Sequence, residues 1–127
     1  MRDGILAILI AGLMVAAIGF FASRTTGRIV AAYEKETAAV LQAVRQGENE
    51  RAAALAKAMK INWEKDCRRL KTIVMHEDAE RVEEAIRRLL AGFETDDRGI
   101  VLSAVYLLEE SLDDIAQREV ISWANII

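Results

Sequence analysis

The chain has 127 residues, 53% of them hydrophobic and 29% charged, with no proline, one cysteine and a formal net charge of -3. That length holds one domain with a sizeable core, and the acidic balance gives no general attraction to nucleic acid. A lone thiol excludes an intrachain disulfide scaffold, and a proline-free chain rich in Ala, Leu, Glu and Arg points to long unbroken helices.

From Gly4 to Ala22 the chain reads GILAILIAGLMVAAIGFFA, with no charge. As a helix this run spans roughly 28 Å, close to the hydrocarbon thickness of a bilayer. It has no polar face, which a core helix normally keeps. A cleaved signal peptide is the rival reading, but bulky Phe20 stands where processing after Ala22 needs a small residue. We therefore expect residues 1–22 to be an uncleaved membrane anchor. Arg24, Arg28 and Lys35 beyond the run outnumber Arg2 and the α-amine, themselves offset by Asp3, so the charge count leans toward a cytoplasmic bundle by one or two charges.

Residues 23–28, SRTTGR, read as a short polar juncture, across which the anchor can continue because Gly27 alone is a weak breaker. Beyond it, residues 29–127 read as an antiparallel bundle of about four helices, making the fold all-α. In the first bundle helix Ile29, Tyr33, Thr37, Val40, Leu41 and Val44 recur at three- and four-residue steps, and Gly47 is its natural stop. The second starts near Glu48 and carries Ala52, Leu55, Met59, Trp63, Cys67, Leu70 and Val74 on one stripe. In that stripe Cys67 is a small buried hydrophobe and Trp63 a core anchor.

The third helix starts at Glu77 or Asp78, with acids in its first turn, and buries Ala79, Val82, Ile86, Leu89, Leu90 and Phe93. Glu83–Arg87 and Glu84–Arg88 fall at i, i+4 on its solvated face. Gly92 is expected to close it, with Asp96 or Asp97 capping the next helix. The fourth helix has two adjacent apolar stripes, Ile100, Ala104, Leu107, Ser111 and Val101, Val105, Leu108, Leu112, Ile115, a face wide enough for two neighbours. Its exposed residues Glu109, Glu110, Asp113, Asp114 and Glu119 are acidic. The second helix concentrates Lys57, Lys60, Lys65, Arg68, Arg69 and Lys71. We expect these opposite charges to be satisfied between neighbouring helices.

Chemistry is sparsely represented. His76 and Glu80 are one helical turn apart, but the zinc-protease pattern needs a second histidine there and the chain has no other. Cys67 and His76 are about 14 Å apart along a helix, and no nucleophile elbow or phosphate loop occurs. Glu109–Asp113 and Glu110–Asp114 are ordinary helix-surface acids. The residues thus assign no catalytic group, no cofactor and no metal site. A metal-dependent enzyme using His76 with Glu77 or Glu80 is the alternative from another class. At the carboxyl end Val120, Ile121, Trp123, Ile126 and Ile127 return to apolar character. Trp123 and Ile126 are expected to close one end of the bundle, with Asn125 bonding a helix terminus. The alternative is a hydrophobic edge for a membrane protein partner.

The order of landmarks resembles a known family: an amino-terminal anchor, Gly47-Glu48, Trp63-Glu64-Lys65, His76-Glu77-Asp78 and terminal Asn125-Ile126-Ile127. It is similar to the bacterial domain of unknown function 4363 family over the whole chain, most specifically residues 48–127. The resemblance implies a small, helical, membrane-anchored protein without assigned activity, its bundle outside the cytoplasm. It also marks Trp63, His76, Glu77 and Asn125 as structural or interaction positions, to which the apolar end adds Trp123 and Ile126. The outward orientation it implies is preferred here over the charge count. The expected role is a non-catalytic interaction or accessory module at the cell envelope, with a cytoplasm-facing adaptor as alternative. The expected partners are another membrane or envelope protein, or a second copy, with residues 4–22 in the membrane and no nucleic acid bound.

Overall fold

The computed structural model describes the backbone of residues 2–73 and 76–126 and the side chains of residues 2–21, 24–69 and 76–118. Four helices follow one another: α1 Arg2–Arg45, α2 Asn49–Ile73, α3 His76–Glu94 and α4 Arg98–Ile126. Each touches two others, α1 with α2 and α4, and α3 with α2 and α4. Among the described residues the diagonal pairs α1/α3 and α2/α4 make no comparable contact. This is a square, up-and-down antiparallel bundle, the arrangement that short connections favour.

α1 runs through residues 23–28 without interruption, the continuation that Gly27 as a weak breaker allows. Gly27 has open space around it, and Thr26 one residue earlier is fully buried, so tertiary contact holds the helix where propensity is weakest. At about 1.5 Å per residue α1 is roughly 66 Å long. Its second part belongs to the bundle and buries Val30, Tyr33, Thr37, Val40, Ala43 and Val44. Its first part projects, with Ile5, Leu6, Ile8, Leu9, Leu13, Val15, Ile18 and Phe21 all exposed.

The core follows most of each expected stripe, with Leu41, Leu55, Leu90, Phe93 and Leu107 only partly buried and Ile100 exposed, and adds alanines between them. Ala52, Ala56, Met59, Trp63 and Cys67 of α2 meet Ala79, Val82, Ala85, Ile86 and Leu89 of α3 and Val101, Ala104, Val105, Leu108, Leu112 and Ile115 of α4. Ala43, Ala56 and Ala85 lie outside those stripes yet are buried, and small residues allow close approach of the helices. As expected, α4 packs on two neighbours, α1 and α3.

Two turns of the same kind close the end of the bundle farthest from the apolar segment. Gly47 sits at φ 76 and donates its N–H to the Val44 carbonyl, while Glu48 N–H reaches back to the Ala43 carbonyl at 2.9 Å. This is a Schellman end, with glycine in the left-handed position as expected. The α3 end repeats it with Asp96 at φ 52: Asp96 N–H bonds Phe93 carbonyl and Asp97 N–H bonds Gly92 carbonyl. Asp97 then caps α4, its Oδ1 accepting the Ile100 N–H at 3.2 Å. Gly92 does not close α3. It lies inside the helix, buried, and a Cβ there would come within 2.8 Å of Val101 Cγ2 and 2.9 Å of Val101 N. The residue is small because α3 and α4 touch there.

The expected pairing of the α2 and α4 charge runs with each other does not occur among the described residues. In this topology α2 and α4 occupy opposite corners and do not meet. Ion pairs among the described residues include local ones and ones that involve α3. Glu84 receives Arg88 at 3.1 Å and Arg87 at 3.9 Å, and Arg81 of α3 reaches Asp114 of α4 at 3.5 Å.

Candidate functional site

A partly buried polar constellation lies in the seam between α1 and α2, around Trp63. The helical repeat places Tyr33, Glu36 and Thr37 on the inner flank of α1 and Asn62, Trp63 and Asp66 on the facing flank of α2. The Tyr33 hydroxyl donates to Asp66 Oδ2 at 2.8 Å. Its ring stands edge-on to Trp63, with centroids 5.3 Å apart and planes at 80°. One turn on, the Thr37 hydroxyl donates to the Tyr33 carbonyl at 2.7 Å, and Asn62 Nδ2 donates to Glu36 Oε1 at 3.3 Å.

The seam is electrostatically uneasy. Burial pushes the Glu36 carboxyl above its ordinary range; the Asn62 hydrogen bond opposes this, and the Asp66 charge adds to it. Burial, the hydrogen bond to Asp66 and the charges of Asp66 and Glu36 all push the Tyr33 hydroxyl upward, so it remains a neutral donor. Glu36 Oε2 and Trp63 Nε1 are both buried without a hydrogen-bond partner. Each such atom costs about 1–3 kcal/mol, so the seam holds uncompensated polarity.

The other sequence-derived positions do not join this cluster. His76 and Glu77 are exposed at the start of α3, at the opposite end of the bundle from the two Schellman turns. Glu80 is exposed on the same helix. The side chains of Trp123, Asn125 and Ile126 lie outside the described residues, as do those of Leu70 and Val74, although the α4 backbone is helical through Ile126. Among the described residues no three His, Cys, Asp or Glu side chains gather where a metal ion would be held. Cys67 is a free, buried thiol in the core stripe.

Several cross-helix contacts have no local signal in the sequence, and two of them are buried or partly so. One is Tyr33–Asp66. The other is Asp78, 2% exposed in the first turn of α3, with Arg118 Nη1 of α4 3.3 Å from its Oδ2. A first-turn acid is ordinary for a helix start, and nothing local announces that this one is buried against α4.

A family profile described as Domain of unknown function (DUF4363) matches residues 20–126. The chain belongs to the DUF4363 family. The match covers the entire DUF4363 bundle and begins at the end of the apolar run, so it is shorter than the whole-chain resemblance expected from the landmarks. No curated protein and no solved structure matches the chain. The family description carries no activity to transfer to the Trp63 seam or to His76.

Proposed function

We propose that this DUF4363 chain is a single-pass, membrane-anchored, non-catalytic interaction or accessory module of the bacterial cell envelope, with its bundle outside the cytoplasm. The observation that carries this reading is the uncovered first part of α1. A helix long and apolar enough to cross a membrane runs straight into the bundle, and none of its apolar window is buried by protein. A core helix would be covered by its neighbours; this one leaves Ile8 and Leu13 each 73% exposed. Among the described residues the core cluster takes no side chain from this segment. The partner in this reading is another membrane or envelope protein, or a second copy of the chain.

Sidedness is tested at Asn49, exposed beside the Gly47 turn at the end of the bundle remote from the anchor. A unique cysteine is placed there (Asn49→Cys) in a Cys67→Ala background, and intact cells are treated with a membrane-impermeant maleimide. Labelling of intact cells is the expected result. Labelling only after lysis places the bundle inside, in line with the charge count, and replaces the envelope reading with a cytoplasm-facing adaptor.

A further inference from the structure

The outer faces of α2 and α4 point to opposite sides of the bundle and carry opposite charge. On α2 the exposed stripe is Lys57, Lys60, Ile61, Lys65 and Arg68. Of the two acids within that stretch, Asp66 accepts from Tyr33, and Glu64 is exposed on the stripe itself between Lys60 and Arg68, leaving the face with four basic side chains against one acid. On α4 the exposed stripe is Tyr106, Glu109, Glu110 and Asp113, and no basic residue occurs from Gly99 to Gln117. Asp114, the remaining acid, is held by Arg81.

Each face also has an apolar centre. Among the described residues beyond the apolar segment, the large hydrophobic side chains left exposed are Ile61 at 55%, Tyr106 at 52% and Ile100 at 42%. Ile61 lies in the basic stripe and Tyr106 in the acidic one. Beside Ile61, Leu90 and Phe93 of α3 floor a shallow apolar groove with Lys57 and Lys60 on its rim.

The heights of the two stripes agree. Both α2 and α4 start at the turn end and run the same way. At about 1.5 Å per residue, Lys57 to Lys65 lie roughly 12–24 Å below the start of α2, and Tyr106 to Asp113 roughly 12–23 Å below the start of α4. Two copies anchored in one membrane through α1 are held parallel at the same height. Their basic and acidic stripes then meet level.

We propose that copies of this chain associate side by side in the membrane plane, the basic outer face of α2 on one copy against the acidic outer face of α4 on the next. The proposal rests on the membrane-anchor reading above, since the shared anchor sets the register. Because the two faces lie on opposite sides of the bundle, the contact is heterologous and leaves a free face at each end of a growing row.

The test uses the full-length chain in membranes, with Cys67→Ala as background and a short bismaleimide as cross-linker. A chain carrying both Ile61→Cys and Tyr106→Cys is expected to give a ladder of dimers, trimers and higher species. Each single-cysteine chain is expected to give none. Lys57→Glu/Lys60→Glu/Lys65→Glu in the two-cysteine chain should reduce the ladder at least ~10-fold, the response to about 1.4 kcal/mol of lost attraction. Adding Glu109→Lys/Glu110→Lys/Asp113→Lys to that same chain should restore it, because the faces are again complementary. Absence of a ladder from the two-cysteine chain overturns the proposal, as do dimers from either single-cysteine chain or a ladder indifferent to charge reversal. Alkaline carbonate extraction of the same membranes separates the two readings. Protein that stays in the membrane without a ladder sinks self-association alone, whereas protein released by carbonate sinks the anchor and the proposal with it.

Discussion

Gly47 and Asp96 occupy the same left-handed position at the ends of α1 and α3, and only one of them is a glycine. A side chain at such a position costs about 1–2 kcal/mol, less for aspartate, whose short polar side chain tolerates it. Gly47→Ala should therefore destabilise the bundle by about 1 kcal/mol, and Asp96→Gly should stabilise it by about 0.5–1 kcal/mol. Chemical denaturation of the two variants measures both; equal effects of the same sign would contradict the assignment. Gly47 was legible from its place after a periodic stripe. Asp96 was legible only as a cap candidate, because aspartate in a T-D-D loop signals a turn without saying which aspartate takes the strained backbone. Asp97 takes the cap and Asp96 the left-handed turn.

The elements themselves were readable wherever large apolar residues keep the helical period, as from Tyr33 to Val44 and from Val101 to Ile115. Contacts between elements were less so. Gly92 looks like a helix end in sequence and is a helix contact in the structure, since glycine reports tight space and special backbone equally well. Gly92→Ala should cost about 1–3 kcal/mol from overpacking against Val101, outweighing a helix-propensity gain of at most about 1 kcal/mol. A rise in melting temperature would show that α3 and α4 separate at little cost.

The α1–α2 seam makes a pH-dependent prediction. Glu36 binds its proton more tightly in the folded chain than in the unfolded one. Its contribution to stability therefore falls as pH rises from the ordinary carboxylate range through the raised native value, and is flat above it. Glu36→Gln keeps an acceptor for Asn62 and removes the charge. It should raise the melting temperature at about pH 7, with the gain shrinking toward about pH 4, where the native carboxyl is already neutral. A gain equal at both pH values would place its cause elsewhere than in the charge. That Trp63 would be buried was clear from its stripe; that it would share its burial with Tyr33, Glu36 and Asp66 was not, because those three sit on two helices whose relative rotation no periodicity reports.

For the molecule as a whole, the chain order and short turns were enough to derive an up-and-down bundle, yet the expected pairing of basic α2 with acidic α4 is inconsistent with that very topology. Helices two apart in such a ring stand on a diagonal, so their charges face solvent on opposite sides. Exposed charges separated by more than about 10 Å are largely screened at 0.1 M salt. The association proposed for these faces should therefore weaken as salt rises, and cross-linking yield across a salt series reads this directly.

Sequence alone determined the all-α class, the apolar segment at residues 4–22, the core stripes, the Gly47 turn and the family resemblance. These depend on local period, composition and the conformational limits of single residues. Tertiary structure decided that α1 continues through residues 23–28, that Gly92 is a contact and Asp96 a turn, that Tyr33 bonds Asp66 and Asp78 meets Arg118, and that the charged faces of α2 and α4 point apart. Each of these depends on which helices are neighbours and how they are rotated, and a one-dimensional pattern carries the face of a helix but not the direction in which that face is turned.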